Sequence, residues 1–154
     1  MNQKVLFMLL ITALVMASCS RGPVPIEYGS DECHHCSMVI MDDQYAAEIV
    51  LKTGKAYKFD AIECMVRYMD KDPLVKDDAL LFLITDHDHP GELINAGTGY
   101  VLHSKDLPSP MGMFLTGFSS EQAAKEAQNV HGGNMYSWDE LLASFGGLSM
   151  EDAP

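Results

Sequence analysis

Apolar and polar residues along this chain alternate at two periods, and the period changes at a few turn signals. "YAAEIVLKTGKAYKF" reads as two strands around a turn at Thr53 and Gly54. In "DAIECMVRYMDKD" the period lengthens. Ile62, Val66 and Met69 fall on one helical face, Asp60 with Glu63 gives a helix-start signal close to a capping box, and Pro73 marks the stop. "ALLFLITD" is a continuous apolar run, hence a buried strand, and "HDHPGEL" reads as a loop. "GYVLHS" and "MFLTGF" predict two further strands, separated by the proline-rich "KDLPSPMG".

Two capped helices follow. "SSEQAAKEAQNVHGG" offers Ser119 and Gln122 as a capping box, Ala123, Ala127 and Val130 as its packed face, and Gly132 with Gly133 as its end. "SWDELLASFGG" offers Ser137 and Glu140 as caps and Trp138, Leu141, Leu142 and Phe145 for burial. Strand, strand, capped helix thus occurs at residues 45–70 and again at about 99–131. Phe59 and Phe118 each end a second strand directly before the helix cap. This weak repeat predicts an α+β fold in which two ββα-type units share one core.

The N-terminal stretch needs separate treatment. Lys4, an apolar run from Val5 to Val15, and small residues before Cys19 have the layout of a bacterial secretory signal. Small residues directly before a cysteine resemble the lipoprotein box, where cleavage leaves a lipidated Cys19. The run is shorter than the ~20 residues a membrane span needs. The expected organisation is a signal peptide at 1–18, a lipidated Cys19 and flexible tether at 19–30, a folded domain at 31–147 and a loose tail at 148–154.

A formal charge of −12 argues against nucleic acid as a partner, because such binding needs a basic surface that displaces counterions. Beyond Cys19 three cysteines remain, Cys33, Cys36 and Cys64. An odd number outside the cytoplasm argues against a complete disulfide framework and favours a thiophilic metal or redox exchange.

"DECHHCSMVIMDD" concentrates that chemistry. Cys33 and Cys36 are spaced to share one ion, but no second C-x-x-C exists for a zinc knuckle pair. A structural zinc site from Cys33, Cys36, Cys64 and a histidine stays open. So does a thioredoxin-like redox pair, although neither the preceding strand nor the following helix that it needs is predicted. The third possibility uses thioether sulfur, which is soft and neutral and favours Cu(I). Cys36 and Met38 would put both sulfurs on one side of an extended chain. Met111 and Met113 alternate likewise in "SPMGMF". Met65 and Met69, on the helix, read as core filler.

The lipoprotein signal, "CHHCSM", "FDAIECM", a strand ending in "TD", "SPMGMF" and a serine-capped helix ending in Gly-Gly, in that order, resemble the NosL family of nitrous-oxide-reductase accessory lipoproteins. That resemblance implies a membrane-anchored Cu(I) chaperone in the cell envelope, facing the periplasmic or extracytoplasmic side, and not an enzyme. It implies a fold similar to paired ββα units of organomercurial lyase. It also implies docking on a membrane ABC-type maturation assembly and copper supply to nitrous oxide reductase. By position, Cys33, Cys36 and Met38 match the family's cysteine motif and Met111 its Met-Gly motif, while Met113 sits where some relatives offer histidine.

Cys36 would then be the charged anchor, Met38, Met111 and Met113 neutral ligands, and Cys33 a third ligand or a transfer residue, with Cys64 the weaker candidate. Asp60 and Asp86, at strand ends, read as capping and solvation, or as support for the site. The rival readings are an organomercurial-lyase-like enzyme using Cys36, Cys64 and Asp60, and a structural zinc module that binds a partner.

Overall fold

A computed structural model describes residues 21–148. The expected signal, Cys19 and all but the first residue of the expected tail lie outside the described residues.

Among the described residues, seven strands form two antiparallel sheets, accompanied by four α-helices and a short 3-10 turn at Phe145–Gly147. The strands β1 (Ala47–Leu51), β2 (Ala56–Phe59), β3 (Ala79–Asp86) and β4 (His89–Asn95) form the first sheet, in the order β2-β1-β3-β4. The strands β5 (Tyr100–His103), β6 (Leu115–Phe118) and β7 (Asn134–Ser137) form the second, in the order β6-β5-β7. The helices are α1 (Ile62–Lys71), α2 (Pro73–Asp78), α3 (Glu121–His131) and α4 (Trp138–Ser144). The predicted repeat is therefore β1-β2-α1 and β5-β6-α3, and each unit's sheet is widened by further strands.

The helix α1 lies against β1 and β2 of one sheet and β6 of the other. Its buried residues Ile62, Cys64, Met65, Val66 and Met69 join Ile49 and Phe59 from the first unit to Val101, Leu115, Trp138 and Leu141 from the second in one cluster. Each such large side chain contributes about 1.5–3 kcal/mol when fully buried. A smaller cluster of Leu102, Leu107, Phe118 and Ala124 lies between the second sheet and α3. The sheets approach closely where β6 meets the end of β3. There the His87 N–H donates to the Gly117 carbonyl at 2.9 Å.

Several elements differ from the sequence reading. "HDHPGEL" is not a loop: His87 and Asp88 make a two-residue turn and β4 follows at once, with Asp86 paired to His89. Pro90 and Gly91 are tolerated because β4 is an edge strand. Pro73 does more than stop α1, since it opens α2 from a first-turn position, where its missing N–H costs nothing. The short strand β7 is concealed between Gly133 and the α4 cap.

Capping is corrected at two helices. Ala61 is the N-cap of α1 and makes no side-chain bond. Asp60 turns inward instead, accepting the Met41 N–H, and is 3 % exposed. At α3 the cap is Ser120, which accepts from the Ala123 N–H at 3.2 Å, while the Ser119 N–H donates to Asp86. The packed face of α3 runs through Ala123, Ala124 and Ala127 and leaves Val130 exposed. The predicted Ser137–Glu140 capping box of α4 is present in full.

The stretch before Asp31, read as a tether, is hydrogen-bonded to the body from Val24 onward. The Val24 N–H donates to the buried Glu48 carboxyl at 2.9 Å, and Lys58 Nζ donates to the Pro25 carbonyl at 2.6 Å. Among the described residues no helix is long and apolar enough to cross a membrane.

Candidate metal centre

The segment from Gly29 to Ile40 folds back on itself. Glu32 bridges Val39, the Cys33 N–H donates to the Met38 carbonyl at 2.8 Å, and the Ser37 N–H donates to the Cys33 carbonyl at 2.9 Å. Ser37 has a φ of 62°, the left-handed conformation that an L-residue adopts at a cost. That turn makes the reversal. It also means that Cys36 and Met38 are not on one face of an extended strand, as the C-x-M spacing suggested.

His34 fastens this knuckle to β2. Its N–H donates to the Lys58 carbonyl at 3.0 Å, its Nδ1 accepts the Lys58 N–H at 3.2 Å, and its ring meets Tyr57 edge-on at 5.1 Å. A salt bridge from Lys58 to Asp31, at 2.5 Å, closes the other side. His34, the first of the two histidines between the cysteines, is thus a structural clamp through Nδ1. No signal in the sequence distinguished it from a ligand.

Cys64 completes the centre. It projects from the first turn of α1, and its sulfur, with those of Cys33 and Cys36, forms a group in which all three atoms lie within 4.8 Å of one another. Cys33 and Cys64 are buried, Cys36 is partly exposed, and all three are free thiols. Sequence reasoning ranked Cys64 lowest because nothing nearby in the chain pairs with it. The signals that pointed to it were the odd cysteine count and its place in "FDAIECM".

The three thiols do not ionise alike. Cys33 is drawn well below the ordinary thiol range, chiefly by the hydrogen bond from Cys64, and further by the backbone N–H groups of Cys36, Asp60 and His35, which outweigh its burial. Cys64 is driven up, first by that same bond and then by burial. Cys36 is raised mainly by burial. Cys33 is therefore the most readily ionised of the three thiols. Asp60 stands beside it, its carboxyl raised by burial and then by the charge on Cys33.

The methionines are distributed unequally. Met113 is 4 % exposed and belongs to the core that contains Cys33 and Cys64; Met111 is half-buried against that core. Met38 is 47 % exposed and Met41 70 %. The Met111–Met113 turn is held by Glu63, the residue before Cys64. Glu63 Oε1 accepts from Ser109 Oγ at 2.5 Å and from the Met113 N–H at 3.3 Å. Glu63 sits in the first turn of α1, as the helix-start signal suggested, but it is fully buried and anchors this turn instead of pairing with Asp60 in a capping box.

Asp86 is likewise buried, but in a separate arrangement. It accepts from His89 Nδ1 at 2.9 Å and from the Ser119 N–H at 3.2 Å, tying the end of β3 to the start of α3.

The sequence model of the NosL family matches residues 23–145. This chain belongs to the NosL family. It is 28 % identical over 120 residues to the copper-binding lipoprotein NosL of Stutzerimonas stutzeri, an alignment that covers 74 % of this chain and 63 % of that protein. The chain thus spans less than two thirds of that NosL protein's length. Its fold matches the crystal structure of the copper chaperone NosL from Shewanella denitrificans with a TM-score of 0.68 at 22 % identity, over 78 % of this chain and 95 % of that one. The mixed helix-and-strand architecture of paired ββα units is accordingly the NosL fold.

Proposed function

We propose that this protein is a Cu(I) chaperone, a carrier and not a catalyst, anchored to the cell envelope through Cys19 on the extracytoplasmic side. It would receive copper at a membrane ABC-type assembly and deliver it for maturation of nitrous oxide reductase. The observation that carries the reading is the convergence of Cys33, Cys36 and Cys64 within 4.8 Å. The copper-binding relative and the family motifs support it.

Soft thiolate and thioether donors favour monovalent copper over oxygen-seeking cations. A structural zinc site would call for a fourth ligand, and among the described residues the group consists of three cysteines alone. Three adjoining thiols suit a carrier. Copper arrives at the partly exposed Cys36, Cys33 is the most readily ionised donor, and the thiol protons leave to solvent as the sulfurs bind. Met111 and Met113 are the neutral donors on the inner side. Cys36 is the partly exposed thiol, and Met38 lies exposed two residues on. A partner's sulfur or imidazole would enter there, before the buried ligands release.

The test is Cu(I) titration against a competing chelator, followed by X-ray absorption on the loaded protein. One site of sub-nanomolar affinity with three or more sulfur neighbours is expected. Micromolar binding, or a shell dominated by nitrogen and oxygen, overturns the reading. Release of hydrocarbon from an organomercurial would instead favour the enzyme built on Cys36, Cys64 and Asp60.

A further inference from the structure

Glu63 lies inside "FDAIECM", but the copper reading gives it no role, and its carboxyl has no exposed surface. No ion pair among the described residues involves it. Burying a carboxyl without a cation is costly unless hydrogen bonds replace its water. Here they do so on one side only. Oε1 collects Ser109 Oγ and the Met113 N–H, whereas Oε2 has no hydrogen-bond partner among the described residues. A group that served only to bury the loop would be better replaced by an apolar residue.

The loop is wound around that oxygen. Ser109 Oγ, while donating to Glu63, accepts the Phe114 N–H at 2.9 Å, and the Gly112 N–H donates to the Ser109 carbonyl at 3.0 Å. Gly112 and Phe114 have φ values of 73° and 58°. Glycine takes that conformation freely, but phenylalanine does so only where its surroundings impose it. Phe114 is thus held in a form that its side chain disfavours, at the end of a turn that carries Met111 and Met113. The carboxyl that holds it is one residue from Cys64.

We infer that Glu63 is a positioning residue for copper, setting the Met111–Met113 thioethers at a fixed distance from the three thiols. This rests on the copper reading above. Glu63 touches no metal; it acts through Ser109 and the loop backbone. One peptide unit of α1 then fixes both donor types, the thiol through Cys64 and the thioether through Glu63. Loss of the latch leaves the thiols in place and frees the thioethers.

The experiment compares the full chain with S109A, E63A and E63Q, using Cu(I) alone as the probe. For S109A and E63A the expected result is Cu(I) affinity reduced about 10–100-fold, the range for removing a supporting partner of a metal ligand. X-ray absorption should show at least one sulfur fewer around copper, with three reactive thiols still counted in the metal-free protein. E63Q keeps an acceptor oxygen and should restore most of the affinity and the full sulfur count. A merely structural role would lower the melting temperature without changing the number of sulfur neighbours. If E63A fails to fold, S109A decides. Unchanged affinity and sulfur count in a folded S109A overturn the inference while leaving the copper site standing. A wild-type protein that binds no Cu(I) overturns both.

Discussion

The sulfur of Cys64, on the first turn of α1, lies within 4.8 Å of the sulfur of Cys33, in the knuckle before β1. The hydrogen bond between them lowers the Cys33 thiol and raises that of Cys64. Removing a partner that merely supports a metal ligand costs about 10–100-fold in affinity. Loss of a ligand should cost more. Cys64→Ser is therefore expected to lower Cu(I) affinity by roughly 100-fold or more on the scale of such losses, as read by chelator competition. In Cys64→Ala, which removes the donor altogether, the Cys33 thiol should titrate higher, as read by the pH dependence of alkylation. A Cys64→Ser protein that holds copper like the parent would remove Cys64 from the centre.

The thioethers can be tested without disturbing the thiols. Met38→Leu and Met111→Leu nearly conserve volume, so folding should change by less than about 1.5 kcal/mol. Cu(I) affinity should fall by roughly tenfold or more, equivalent to about 1.4 kcal/mol, while Zn(II) affinity stays nearly level, because zinc gains little from a neutral soft sulfur. Equal Cu(I) affinity in the double variant would show the methionine assignment to be wrong.

The knuckle carries a local cost at Ser37, whose φ is 62°. A left-handed L-residue costs roughly 1–2 kcal/mol, and glycine gives back about 0.4–1 kcal/mol through greater freedom in the unfolded chain. Ser37→Gly should therefore stabilise the metal-free protein by about 0.5–1 kcal/mol, measured by urea unfolding. A β-branched Ser37→Val should destabilise it and loosen the Cys33–Cys36 pair.

Gly117 lets the two sheets approach. A Cβ there would meet the Thr85 carbonyl oxygen at 2.5 Å and Ile84 Cδ1 at 2.9 Å. Backbone cannot yield as a flexible side chain would. Gly117→Ala is expected to cost at least about 1–3 kcal/mol, the usual range for overpacking. Faster amide exchange at His87, which bonds the Gly117 carbonyl, should accompany it. Wild-type stability in this variant would mean that β6 and the end of β3 separate freely.

Through its buried carboxyls, acidification should first stabilise this protein. Glu48 is buried, and that burial raises its carboxyl above the ordinary 4.5, against weaker opposition from the Val24 N–H and Lys58. The folded state therefore holds this proton more tightly than the unfolded chain. Stability should rise as pH falls from neutral through the raised value, and level off below about 4.5, the ordinary glutamate range. Glu63 and Asp60, also raised by burial, add to the same slope. Asp86 has the opposite sign. Burial pushes it up, but hydrogen bonds from His89 and Ser119 prevail and leave it lowered. Its contribution is present above the ordinary 3.8 and is lost as pH falls through the folded value. Cys33, lowered by the Cys64 hydrogen bond, also loses its contribution as pH falls. The carboxyl slopes are therefore read in a Cys33→Ser protein, where urea unfolding between pH 7 and pH 3 should pass through a maximum. Glu48→Gln should flatten the rise toward that maximum and leave the acid limb unchanged. A monotonic loss of stability from neutral pH downward would contradict the burial of these carboxyls as charged groups.

The sequence by itself determined the local elements and their order. The strand pair around Thr53 and Gly54, the helix face at Ile62, Val66 and Met69, the Ser137–Glu140 box and the Gly132 stop all follow from hydrogen bonding and periodicity within a few residues, and each is found in place. The order of "CHHCSM", "FDAIECM" and "SPMGMF" likewise identified the family. Only the tertiary structure decided which side chains meet. Cys64 joined the cysteine pair, His34 became a clamp, Glu63 left its capping role for Ser109, and Asp60 turned inward to Met41. None of these is visible in spacing, because each partner lies far along the chain, or on another element, and is brought close by packing. A charged residue before a helix reads the same whether it faces water or the core. Burial separates the two, and burial depends on the whole fold.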